Sequence, residues 1–132
     1  RNSSSLILKN WKFESEDRIW GSFYNLFDSK DVKVKELVIK PKKGMSFQRH
    51  KERNEIWLIS KGSCKVLYSK DNPESTIKKT LKKFDSFHIS IGNWHQIFNP
   101  FEKDCHIIEI QYGKSVTEDD IERLHYYKDN FF

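Results

Sequence analysis

Short runs in which apolar side chains recur at every second position, cut by Gly, Pro, Asn and Asp, make up most of the chain. That period puts successive side chains on opposite faces of an extended backbone, so it predicts strands rather than helices. The clearest run is 32–40, where Val32 and Val34 alternate with lysines ahead of Leu37, Val38 and Ile39. Strands are predicted likewise over 6–13 (an edge strand), 17–27, 45–50, 55–59, 64–68, 77–81, 86–91, 94–98 and 105–112. Turns fall at 28–31, 41–44, 60–63 and 92–93, and loops at 70–75 and 100–104. Many short strands at regular intervals define an all-β chain, an antiparallel sandwich or barrel. The end breaks the pattern. Thr117-Glu118-Asp119-Asp120 reads as a capping box with Asp in place of Glu, and it predicts a short helix from Glu118 to about Tyr126.

Composition sharpens this picture in a few places. A chain of 132 residues is read as one domain over 1–132, with 1–5 a flexible polar tail. Hydrophobic content of 36% with 14% aromatics supports a core despite 33% charged residues. No apolar run reaches the length of a membrane span and no secretory signal is visible, so no membrane partner is expected. Cys64 and Cys105 lie in apolar strand-like segments without CxxC spacing, which predicts two buried thiols rather than a disulfide, and a cytoplasmic location. The net charge of +5 is spread out, and its densest run, Lys78, Lys79, Lys82 and Lys83, suits a charged strand edge better than a nucleic-acid surface. An anionic small molecule such as a sugar phosphate fits the same excess. The abundance of aromatics leads us to expect a homodimer.

The chemistry concentrates in 41–62, PKKGMSFQRHKERNEIWLISKG. Gln48 and His50 share one strand face, residues 51–54 form a tight reversal, and Glu55 returns opposite them. An amide oxygen, an imidazole and a carboxylate then converge. His95, far downstream between two apolar runs in SFHISIGNWHQIFN, supplies a fourth ligand. Such a mixed nitrogen and oxygen set suits one divalent transition metal. Either motif alone would more often be a solvated hairpin; the two together favour a metal site.

These two segments resemble the paired signatures of the cupin superfamily, a small jelly-roll barrel: Gln48, His50, Glu55 and Gly62 in the first, Gly92, His95 and Asn99 in the second. Glutamine in the first ligand position resembles the C-terminal isomerase domain of type II mannose-6-phosphate isomerases, a domain usually fused to a mannose-1-phosphate guanylyltransferase. Arg18-Ile19-Trp20-Gly21-Ser22-Phe23, Ser46 to His50, Trp94-His95, Asn99-Pro100, Ile108 to Gly113 and Glu118 to Arg123 follow that family's order. The resemblance implies a metal-dependent isomerase of mannose 6-phosphate and fructose 6-phosphate, in sugar-phosphate and polysaccharide-precursor metabolism. The ion would be zinc first, with manganese, iron, cobalt or nickel also suited, held by Gln48, His50, Glu55 and His95. Glu109 and Gln111 share a strand face and are the candidate catalytic pair. Arg18, Lys33, Lys35 and Arg53 are candidates for a phosphorylated sugar, Trp57 could line the same cavity, and His88, His106 and His125 are assigned structural or surface roles.

The departures are specific. Lys51-Glu52 replaces a histidine-rich stretch, Ile56 a histidine and Ser90 a proline, and the chain closes on Lys128 to Phe132 in place of the family's Asp-Tyr-Gly-Arg. They make a non-catalytic cupin that holds a metal and binds a sugar the alternative, and no nucleotidyl transfer is expected of this chain.

Overall fold

In the computed structural model, which describes residues 11–128, the alternating segments become strands: β1 (Trp11–Arg18), β2 (Gly21–Asp28), β3 (Val32–Ile39), β4 (Lys43–Gly44), β5 (Phe47–Arg49), β6 (Arg53–Lys61), β7 (Ser63–Ser69), β8 (Ile77–Lys82), β9 (Ser86–Ile89), β10 (Trp94–Asn99), β11 (Cys105–Gly113) and β12 (Glu122–His125). One antiparallel sheet runs β1-β2-β3-β11-β6-β9, and the other β12-β5-β10-β7-β8 with β4 also on β10.

Register explains what the interior becomes. On β6 the inward positions are Arg53, Glu55, Trp57 and Ile59, and across the ladder they meet Gly113, Gln111, Glu109 and Ile107 of β11. On the far side of β11, Ile107 faces Leu37 and Glu109 faces Lys35 of β3. The barrel is therefore zoned along its length. One end is filled by Leu37, Ile39, Ile59, Cys64, Val66, Leu81, Ile97, Cys105 and Ile107, all buried. The other buries Lys35, Gln48, His50, Arg53, Glu55, His95, Glu109 and Gln111. Buried polar groups at this density are held only by one another or by a ligand.

Four expectations change. No helix occurs among the described residues, and the 118–126 helix is replaced by an irregular run to Ile121 followed by β12. The acids of the expected cap make tertiary bonds instead: Asp120 accepts the backbone N–H groups of Lys51 and Glu52, each at 2.8 Å, and Glu118 binds Lys33 and Lys35. Residues 122–125 then pair with β5, which outweighs a marginal helical preference.

The single strand over 17–27 is two, because the chain reverses at Ile19 and Trp20. Gly21 makes this possible: its φ is +152°, and a Cβ there would collide with the carbonyl oxygen of Val38. The reversal predicted over 51–54 is shorter, since β6 already begins at Arg53. Cys64 and Cys105 are joined as a disulfide rather than standing as free thiols, with Cα atoms 6.2 Å apart and both side chains wholly buried. The polar tail 1–5 and most of the edge strand expected over 6–13 lie outside the described residues.

Candidate metal centre and cavity

At the polar end, a donor atom from each of His50, Glu55 and His95 lies within 4.8 Å of the others, all three residues buried. The strands explain the convergence. His50 directly follows β5, Glu55 returns on β6 after the short reversal, and β10 brings His95 alongside Gln48 of β5. Each imidazole is tethered by its outer nitrogen: His50 Nδ1 lies 2.6 Å from the carbonyl oxygen of Asp120, and His95 Nδ1 2.9 Å from that of Asn93. A carbonyl only accepts, so both Nδ1 atoms carry the hydrogen and both Nε2 atoms face the cluster. That is the tautomer a metal ligand needs, fixed by groups behind it. Gln48 is buried on the wall of the same cavity, and its Nε2 donates to the Ser46 carbonyl at 3.4 Å. The donor set fits a divalent cation.

Glu55 is the electrostatic centre. Its Oε2 is 3.1 Å from His50 Nε2 and 3.0 Å from Arg53 Nη2; its Oε1 accepts the Trp57 indole N–H at 3.2 Å and faces His95 Nε2 at 3.8 Å. Burial disfavours the carboxylate, but His50, His95 and Arg53 outweigh it and hold its pKa well below the ordinary carboxylate range. Burial pushes the His95 imidazole down to about 4, against the pull of Glu55, so the ring is neutral at pH 7.

The cluster forms the floor of a cavity of about 480 Å³. Glu109 and Gln111 also line it, with Gln111 Nε2 donating to Glu109 Oε1 at 2.9 Å and Trp57 Nε1 reaching Glu109 Oε2 at 3.2 Å. Burial and the charge of Glu55 raise Glu109 to about 7, although Lys35 and Arg53 oppose this. Gln111 Oε1 is buried without a hydrogen-bond partner.

Of the four cations expected for a phosphorylated sugar, Arg18, Lys35 and Arg53 line the cavity. Lys33 does not, and instead ion-pairs with Glu118 at 3.2 Å. Lys35 is buried, 3.0 Å from Glu118 and over the Phe23 ring at 4.4 Å; Arg18 lies over the same ring at 5.0 Å and pairs with Glu16. Arg53 is at the cluster itself. Trp57 lines the cavity as expected, while His88 meets Tyr112, His106 meets Glu36 and His125 stacks on Phe47, none of them at the site. Arg123, which no reading of the residues singled out for the site, lines the mouth and donates to Ser46 Oγ at 2.9 Å. Nothing in its exposed, polar neighbourhood marks it before β12 is known to pair with β5.

The two-sheet barrel with this cluster at one end is a cupin jelly roll. It overlays the capsular polysaccharide assembling protein CapF of Staphylococcus aureus with a TM-score of 0.74 at 18% identity, covering 87% of this chain and 33% of that one. Oxalate decarboxylase from Bacillus subtilis overlays with a TM-score of 0.73 at 17% identity, covering 85% of this chain and 30% of that one. The chain belongs to the family described as mannose-6-phosphate isomerase C-terminal, which it matches over residues 9–126. Its relatives include a mannose-1-phosphate guanylyltransferase of Escherichia coli (strain K12), 31% identical over 107 residues, or 81% of this chain and 21% of that protein. The alginate biosynthesis protein AlgA of Pseudomonas aeruginosa is 34% identical over the same shares. The chain thus spans about a fifth of the length of these curated relatives.

Proposed function

We propose that the chain is a metal-dependent aldose–ketose isomerase interconverting mannose 6-phosphate and fructose 6-phosphate, in the metabolism of sugar phosphates and polysaccharide precursors. The observation that carries this is the meeting, in one cavity, of the His50–Glu55–His95 cluster with the Glu109–Gln111 pair under a cationic mouth. A divalent ion held by His50, Glu55, His95 and the Gln48 amide, zinc first among them, would supply Lewis acidity toward the sugar carbonyl. Glu109, which burial raises above the ordinary carboxylate range, removes the proton on carbon 2 of the open-chain sugar and returns it to carbon 1, while the O2 hydroxyl proton passes to O1, so that no net proton is gained or lost. Gln111 orients the Glu109 carboxylate through its Nε2. Lys35, Arg18 and Arg123 receive the phosphate at the mouth.

Purified protein with added metal is expected to convert mannose 6-phosphate to fructose 6-phosphate, and His50→Ala or His95→Ala to abolish this. One observation favours a second reading, a non-catalytic sugar-binding cupin: both oxygens of Glu109 are taken up by Trp57 and Gln111. Stoichiometric metal and sugar-phosphate binding without turnover would select that reading.

A further inference from the structure

We infer that Arg53 is an internal competitor of the divalent cation, its guanidinium drawing on the same donor atoms of His50 and Glu55, so that an ion enters only as Arg53 turns away. The inference rests on reading this cluster as a metal centre and adds what governs its loading. Because β6 starts at Arg53, its side chain falls on the inward face two positions before Glu55. Its Nε is 3.1 Å and its Nη2 3.0 Å from Glu55 Oε2, and the same Nη2 is 3.2 Å from His50 Nε2. With His50 Nδ1 donating to the Asp120 carbonyl, Nε2 is the ring nitrogen left to accept, and a guanidinium can only donate. Arg53 therefore addresses two of the three donor atoms through which the cluster would hold an ion. The third nitrogen, Nη1, donates to the Thr117 carbonyl at 3.1 Å, so the fork is anchored in this position from outside the cluster.

Two consequences follow from the charges. Glu55 keeps a partner whether or not an ion is bound, and a buried carboxylate is never left alone. A doubly charged ion and a guanidinium cannot share Glu55 Oε2 and His50 Nε2 at contact distance, because their repulsion is strong where water is excluded. The chain's affinity for metal is thus lower than its donor set alone would provide.

The test titrates Zn²⁺ alone and Co²⁺ alone into the chelator-treated chain by calorimetry, for the wild type, Arg53→Met and Arg53→Gln, each checked for fold by circular dichroism and melting. Both variants are expected to bind about tenfold or more tightly, as follows from removing a charged hydrogen bond that opposes binding. In wild-type protein labelled with ¹⁵N, the Arg53 Nε–H signal is expected to be protected from exchange without metal and to lose protection as Zn²⁺ saturates. Variants that bind no more tightly, or an Arg53 signal unmoved at saturation, overturn the inference and leave the proposed isomerase standing. If neither wild type nor variants bind metal, the inference and the metal-dependent reading fall together. If the variants do not fold, the wild-type spectra alone decide.

Discussion

Glu55 and Glu109 sit on neighbouring strands, and one cavity drives their carboxyls in opposite directions. Glu55 has two imidazoles and a guanidinium against it, whereas Glu109 has burial and the charge of Glu55. Glu109→Gln should therefore lower kcat by about 10²-fold or more while metal binding, followed by calorimetry, stays intact. As a base Glu109 acts ionised, and a cation bound at Glu55 offsets the charge that raises it, so activity is expected to rise with pH over a range below the value of about 7 in the metal-free protein. Stability in the metal-free protein runs the other way. The folded pKa lies above the ordinary 4.5, so the native state holds the proton more tightly, and stability falls as pH rises from 4.5 through about 7. Thermal melts in chelator should accordingly find Glu109→Gln more stable than wild type at pH 8. At this scale His50, Glu55 and His95 were legible, because alternation fixes their faces and a hairpin can only fold back on itself. Arg53 was legible as a candidate for the sugar phosphate but not as a neighbour of the cluster: assigned to a turn, its side chain had no face, and only the ladder reaching it shows that it shares that of Glu55.

Among the elements, the run from Lys114 through β12 does most to complete the site. It carries the Asp120 carbonyl behind His50, the Asp120 carboxylate on two amides of the reversal, the Thr117 carbonyl on Arg53, and the Arg49–Glu122 pair at 2.9 Å. Asp120→Ala removes charge-assisted bonds to Lys51 and Glu52, and should cost about 1–3 kcal/mol in chemical denaturation. The carbonyl behind His50 belongs to the backbone and survives the substitution, so metal binding followed by titration should weaken by less than about tenfold, through loosening of the reversal alone. Asp120→Asn, which keeps an acceptor, should lose less in both. The period-two strands were readable because each buries one face. This run was not, since Thr117 to Asp120 carries a local helical signal whose acids are claimed by residues on β3 and at the β5–β6 reversal, and no local pattern reports such distant partners. The β1–β2 reversal was missed for a related reason: Gly21 is needed by the approach of Val38, a neighbour that exists only once β2 lies on β3.

For the whole molecule, the apolar end sets stability and the polar end chemistry, and Cys64–Cys105 ties the two sheets together in the former. The cysteines therefore no longer argue for a particular compartment; no helix among the described residues is long and apolar enough to cross a membrane. With the partners separated by 41 positions in sequence, removing the cross-link as Cys64→Ala/Cys105→Ala should cost roughly 3–4 kcal/mol in denaturant titration. Alkylation of unfolded, unreduced protein should find no free thiol, and a reagent that labels both cysteines would refute the pairing.

Glu118, held on its own backbone beside Lys33 and Lys35, behaves as a leashed anion. Under the proposed function, a phosphate that uses Lys35 first unseats this resident, so the rim would reward a dianion over a singly charged acid without a dedicated filter.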